Sequence, residues 1–230
     1  MITNKNILSI MLFFLTLGFV FLPGRSLAFS FDVVAKVAVT SFDALIKAMP
    51  DKVTFDSVKG GWELYRVDGK ESILLNSINP DISIEFDAEP FIKAGLDVAK
   101  LPVGQYVYDK STGKITIPFT YGQRKLSAGA KKSALNTFKE MVRTRRDIIG
   151  YHQEGDHYRI TLSNGNMLEW AKDLTSNNKD LVFIINPKPL IDAGVDTNKI
   201  KEWTFAKLPI MDRDGKPVLY DKFLKAFNVK

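Results

Sequence analysis

The hydrophobic pattern of this chain changes between two periods, and each period predicts a different kind of element. In two regions, apolar residues recur every three or four positions, which is the spacing of one buried helix face. The second of these helices is expected to begin near Ser127. The residues that carry the two patterns are Val34, Ala38, Phe42 and Leu45 in the first helix and Leu135, Phe138 and Val142 in the second.

After each of these helices, apolar and polar residues alternate with a period of two, as in strands with one buried face. Turn signals that contain glycine follow or interrupt several of these stretches and predict hairpins. Near the C-terminal end, the spacing of Phe223, Leu224 and Phe227 predicts a helix over 221–228. The strand and turn segments are 62–70, 82–86, 106–115, 158–166 and 209–216, and a continuous apolar run at 181–185 predicts a further, buried strand.

One segment occurs twice, 99 positions apart, at 90–101 and 189–200, and six of its twelve positions are identical. A proline suits the first turn of a short helix, a glycine suits the left-handed residue at its end, and an aspartate can cap the next turn. We therefore interpret the segment as a structural repeat motif. Its key residues are Pro90, Gly95 and Asp97 in the first copy and Pro189, Gly194 and Asp196 in the second.

These patterns predict an α+β protein made of two pseudo-repeats. Each repeat is expected to contain an N-terminal helix, antiparallel strands, a short helix that starts with proline, and a hairpin. The first repeat spans 29–122, and a basic helical connector at 123–147 opens the second repeat. The second repeat continues over 148–230 and includes the C-terminal helix.

Residues 1–28 have the features of a signal peptide. Lys5 precedes an apolar run at Ile7–Leu22, and the small residues Ser26 and Ala28 form a cleavage site. The sequence therefore predicts an exported bacterial protein, periplasmic or extracellular, and a retained membrane anchor is the competing interpretation. The chain has no cysteine, which excludes disulfides, thiolate nucleophiles and cysteine-bound metals.

Positive charge is concentrated in one part of the chain. The formal net charge of +6 is mild and gives no reason to expect a nucleic-acid partner. Between Arg124 and Arg146, however, eight basic residues face a single acid, Glu140. On the predicted helix, four of them share an outer flank that suits anionic lipid headgroups, cell-wall polymer or a protein partner. A solvated linker helix is the alternative interpretation. The four residues are Lys132, Lys139, Arg143 and Arg146.

The two histidines of the chain are candidate metal ligands. If Glu154 and Gly155 form a two-residue hairpin loop, His152 and His157 face each other across the strands, with Asp156 nearby. Imidazoles and a carboxylate can hold Zn²⁺, Cu²⁺ or Ni²⁺. An exposed polar hairpin without metal is the alternative.

No nucleophile elbow, phosphate-binding loop, zinc-protease motif or dinucleotide fingerprint is present, and no cofactor is expected. The predicted function is therefore non-catalytic binding or assembly in the bacterial envelope. Two interpretations stay open beside it: a subunit whose edge strands pair between molecules, and a cell-wall or polysaccharide hydrolase with a carboxylate pair in the cleft between the repeats.

Strand aromatics such as Trp170 and Trp203 are a candidate stacking platform. The candidate carboxylates are Asp81, Asp87, Glu89, Asp180 and Asp192.

Overall fold

A computed structural model describes residues 31–65, 69–77, 81–118, 133–146, 148–152, 156–162, 165–174, 180–212 and 214–229; the expected signal peptide at 1–28 lies outside these ranges. The helices are α1 (Phe31–Ala48), α2 (Glu89–Lys93), α3 (Ala134–Thr144) and α4 (Lys188–Asp192). The strands are β1 (Val53–Asp56), β2 (Gly61–Tyr65), β3 (Ser72–Asn76), β4 (Ile82–Asp87), β5 (Val107–Asp109), β6 (Lys114–Ile117), β7 (Ile149–His152), β8 (His157–Thr161), β9 (Met167–Ala171), β10 (Leu181–Ile185), β11 (Thr204–Met211) and β12 (Pro217–Phe227).

The strands form two antiparallel six-stranded sheets, and both sheets have the same topology. The first has the order β1-β2-β3-β4-β6-β5, and the second has the order β7-β8-β9-β10-β12-β11. In each sheet, the sixth strand of the repeat lies between the fourth and the fifth strands, and the fifth strand forms one edge. The prediction of an α+β fold with two pseudo-repeats is confirmed.

The two copies of the repeat motif fold alike. Gly95 and Gly194 end the short helices with positive φ angles of 105° and 107°, a conformation that side chains with a Cβ rarely adopt. In the first copy, Leu96 N–H donates to Phe91 O at 2.9 Å, the bond that closes a helix in the Schellman motif. The corresponding bond in the second copy runs from Val195 N–H to Leu190 O at 3.0 Å.

The two copies also touch each other about a pseudo-twofold axis. A Cβ atom added to Gly95 would lie 2.8 Å from Gly194 O, and one added to Gly194 would lie 2.7 Å from Gly95 O. Glycine is therefore needed twice over here, for its backbone conformation and for close approach. The reciprocal hydrogen bonds run from Asp97 N–H to Ala193 O (2.8 Å) and from Asp196 N–H to Ala94 O (2.9 Å).

The long helices are exchanged between the repeats. Helix α1 belongs to the first repeat by sequence but packs on β7 and β9 of the second sheet, while α3 packs on β3 of the first sheet. The buried Trp170 indole donates a hydrogen bond to Ser41 Oγ at 2.8 Å, and Phe42 stacks on Phe138 with ring centroids 3.8 Å apart. One continuous hydrophobic core therefore joins both repeats.

Two sequence predictions about helices are wrong. The expected C-terminal helix at 221–228 is the second part of strand β12, because a strand at this position is paired with β10 on one side and β11 on the other. The alternation of apolar and polar residues typical of a strand is missing from the sequence here, because the buried position between Phe223 and Phe227 is occupied by Lys225. The connector helix begins at Ala134 rather than near Ser127, because Ser133 is extended and its hydroxyl accepts a hydrogen bond from Asn136 N–H at 3.3 Å.

Candidate functional site

Helices α1 and α3 lie side by side and form a surface groove of about 420 Å³ with an apolar floor and a charged rim. The groove exists because each helix directs its most apolar face into the shared core, which leaves a narrower mixed flank exposed to solvent. The floor consists of Phe31, Ala35, Val39 and Val142, and the rim consists of Asp32, Lys36, Thr40, Lys139, Arg143 and Arg146.

Three of the four predicted anion-binding residues lie on this groove: Lys139, Arg143 and Arg146. The fourth, Lys132, lies outside the described residues. Sequence reasoning missed Lys36, because its position on the rim depends on how α1 packs against α3 and not on local spacing.

Two acids partly balance the cationic rim. Arg143 donates from Nη2 and Nε to the two oxygens of Glu140 at 2.6 and 3.2 Å, and this carboxylate raises the pKa of the guanidinium further. Arg146 lies 3.8 Å from Asp32 and 5.7 Å from the centre of the Phe31 ring, so it ties the end of α3 to the start of α1.

The two histidines are positioned as predicted, directly opposite each other in the β7–β8 ladder. The nearby Asp156 carboxylate accepts a hydrogen bond from the Tyr151 hydroxyl, which raises the pKa of that tyrosine to about 12. Glu154 lies outside the described residues. Within the described part of the chain, no three His, Asp or Glu side chains are placed as metal ligands, so a metal at His152 and His157 stays a prediction.

A pair of buried carboxylates that the sequence did not reveal lies on the outer face of the first sheet. Lys59 Nζ bridges Glu63 at 2.5 Å and Glu85 at 3.0 Å, and Lys114 Nζ lies 3.1 Å from Glu85. Burial alone would raise the pKa of Glu85, but hydrogen bonds and charge from the two lysines hold it below its ordinary value. Glu85 therefore carries no proton to donate near neutral pH, and the cluster is a structural ion network.

Four of the carboxylates singled out for hydrolysis are held by a lysine or by a backbone N–H. Asp87 faces Lys70 at 3.8 Å, Glu89 pairs with Lys93 at 2.6 Å, and Asp192 pairs with Lys188 at 2.7 Å. Asp180 accepts a hydrogen bond from Val229 N–H at 2.9 Å. Asp81 is half-buried, and burial raises its pKa against the opposing charge of Arg145.

Three aromatic residues of the candidate stacking platform belong to the interior, whereas Tyr220, another candidate, is 44% exposed. Trp170, Trp203 and Tyr106 are all buried, and each contacts residues of the other repeat. Of the repeat-motif residues, Pro189 also lines a cavity described below.

No protein-family model, curated protein or solved structure matches this chain. Among the described helices, none combines the length and apolar character that a membrane crossing requires.

Proposed function

We propose that the protein is an exported, non-catalytic binding protein of the bacterial envelope, and that its α1–α3 groove binds an anionic lipid surface. The observation that carries the proposal is the meeting of Lys36, Lys139, Arg143 and Arg146 around an apolar floor. An interfacial site needs both properties, since apolar groups enter the headgroup boundary while cations bind lipid phosphates.

The sizes of the two effects favour a reversible contact. Each cation near an anionic surface contributes about 1 kcal/mol, and Asp32 and Glu140 oppose part of this. Val33, which is 46% exposed at the start of α1, adds apolar surface beside the groove. Electrostatic attraction is screened by salt, so the proposed binding weakens as ionic strength rises.

The position of the groove along the chain agrees with this role. Helix α1 begins at Phe31, and eight residues separate it from the end of the apolar run at Leu22. If the N-terminal segment is retained, this short spacing holds the groove close to the bilayer surface. If it is cleaved, the groove acts as a peripheral contact.

Liposome flotation of the mature protein tests the proposal. At low salt we expect binding to vesicles that contain one-third phosphatidylglycerol and little binding to pure phosphatidylcholine. Lys139→Glu combined with Arg143→Glu removes two cations, about 2 kcal/mol, and adds two anions that the lipid repels, so it should weaken binding at least about 30-fold. Lys110→Glu combined with Lys216→Glu makes the same charge change at two exposed turn positions and serves as the control. Equal partitioning of both double variants would contradict the groove as the contact.

A further inference from the structure

A second cavity, of about 540 Å³, lies where the two repeats meet and is distinct from the α1–α3 groove. One wall comes from the end of the first repeat motif and the segment after it, and the other comes from the start of the second motif and the residues just before it. The volume is within the range of small-molecule sites. The lining residues are Lys100, Pro102 and Gln105 from the first repeat and Asn186, Lys188, Pro189 and Asp192 from the second.

A longer loop builds the first wall. Three residues separate Leu101 from Gln105, whereas a single residue separates Ile200 from Glu202 at the corresponding place in the second repeat. Gly104 in this longer loop has a φ of 78°, so the turn uses a conformation that favours glycine. The two extra residues place Pro102 at the cavity.

The pseudo-twofold axis supplies an internal comparison for this cavity. In the register of the two sheets, Gln105 corresponds to Glu202, and Asn186 corresponds to Asp87. These two corresponding residues lie together on the other side of the pseudo-twofold axis. Both carry carboxylates, and each carboxylate lies near a lysine. Glu202 lies 3.3 Å from Lys225, and Asp87 lies 3.8 Å from Lys70. Carboxylates in an ionic cluster are thus replaced by uncharged amides in the cavity.

The charges that remain at the cavity are paired within the protein. Lys188 is 2.7 Å from Asp192, and Lys100 is 3.3 Å from Asp97 just outside the lining, so each lining lysine has an acidic partner. A carboxamide offers both a donor and acceptors, which matches the hydroxyl groups of a sugar. The ring faces of Pro102 and Pro189 add apolar surface for C–H groups.

The Asn186 side of the cavity has a rigid support. The buried Tyr106 hydroxyl donates to Asn186 O at 2.9 Å, and Asn186 N–H donates to Asn166 Oδ1 at 2.8 Å. Because Tyr106 comes from the first repeat and Asn186 from the second, these bonds fix both walls relative to each other.

We propose that this cavity binds a small uncharged sugar through the carboxamides of Gln105 and Asn186, of which the Asn186 Oδ1 also accepts a hydrogen bond from Lys188 N–H at 3.1 Å. Titration of the full mature chain with glucose and with N-acetylglucosamine, followed by ¹H–¹⁵N NMR, should shift the resonances of the cavity residues at millimolar sugar. Inorganic phosphate is the anionic probe and should leave them in place.

Gln105→Glu combined with Asn186→Asp installs the residues of the counterpart position. The new carboxylates should pair with Lys100 and Lys188 across the cavity and weaken sugar binding at least tenfold. Glu202→Gln alters the corresponding residue outside the cavity and should leave sugar binding unchanged. Thermal unfolding of each variant distinguishes lost binding from lost structure.

Three results would overturn the proposal: no shift with either sugar up to about 50 mM, shifts with phosphate instead, or unchanged sugar binding in a folded double variant. None of them bears on the lipid contact, because no residue of the α1–α3 groove lines this cavity.

Discussion

Tyr106 and Trp203 occupy the same position in the two repeats, and each side chain crosses into the other repeat. Tyr106 makes a polar contact there with Asn186 O, and burial raises the pKa of its phenol. Trp203 instead lies among aromatic rings, with centroids 5.3 Å from Phe86 and 5.5 Å from Phe91. Both repeats therefore place a buried aromatic side chain in the other repeat at this position. The contacts are polar for Tyr106 and aromatic for Trp203, so the interface constrains the position of the side chain more than its residue type.

Lys114 and Lys222 give a second comparison. Each ammonium donates to the carbonyl of a glycine in the corresponding turn, Gly69 at 3.3 Å and Gly165 at 2.8 Å. Lys114 also pairs with Glu85, whereas apolar Ile184 takes the equivalent place near Lys222. Burial, together with the charge of Arg159, lowers the pKa of Lys222. Both lysines therefore make the same contact with a glycine carbonyl, whereas the carboxylate partner of Lys114 is replaced by an apolar residue near Lys222.

The largest expected effect concerns a buried ion pair found at one of the two equivalent positions. Lys225 pairs with the fully buried Glu71, and their counterparts are Ile117 and Asn166. Lys225→Ile should cost about 3–5 kcal/mol of unfolding free energy, because it leaves a buried carboxylate without its cation. Denaturant titration measures the loss.

The double variant Lys225→Ile with Glu71→Asn copies the counterpart pair and should recover most of that stability. If the single variant is as stable as the parent protein, then the ion pair does not contribute the expected free energy.

A smaller effect is expected where the repeat motifs touch. Gly95→Ala forces a Cβ to within 2.8 Å of Gly194 O at a φ of 105°, and should cost about 3 kcal/mol. Gly104→Ala is the control, since Gly104 also has positive φ but nothing lies within 4 Å of an added Cβ. It should cost about 1 kcal/mol, the conformational part alone. Equal losses in urea titrations would show that the close contact carries no weight.

The smallest effect is a difference in acid sensitivity between the sheets. The pKa of Glu85 is depressed in the folded state, so its stabilisation is present above the unfolded-state pKa and is lost as pH falls through the folded-state value. Glu85→Gln should therefore reduce stability at pH 7 and flatten its decline below about pH 5. Asp214→Asn, at an exposed turn, is the comparison variant. A decline as steep as in the parent protein would show that Glu85 is not the group responsible.

Local sequence signals were sufficient for the repeat and its corners. Proline, glycine and aspartate at fixed spacing define a backbone path whatever surrounds it, so Gly95 and Gly194 were predicted correctly. The Asp-Gly turn before β12 was equally local.

Features that depend on distant contacts were not predictable. The burial of Lys225 requires Glu71, which lies 154 positions away, so the local pattern at the end of β12 predicts a helix instead of a strand. The exchange of α1 and α3 leaves no trace in their hydrophobic spacing, because either sheet could cover the same apolar face. For the same reason, Lys36 was not assigned to the groove.

The crossed packing of α1 and α3 also determines how the molecule comes apart. Each sheet is covered by a helix that its own repeat does not supply, so loosening one repeat uncovers the apolar face of the other. Melting cannot stop at a half-folded intermediate without paying for that exposure, and the cooperative unit is therefore the pair of repeats together.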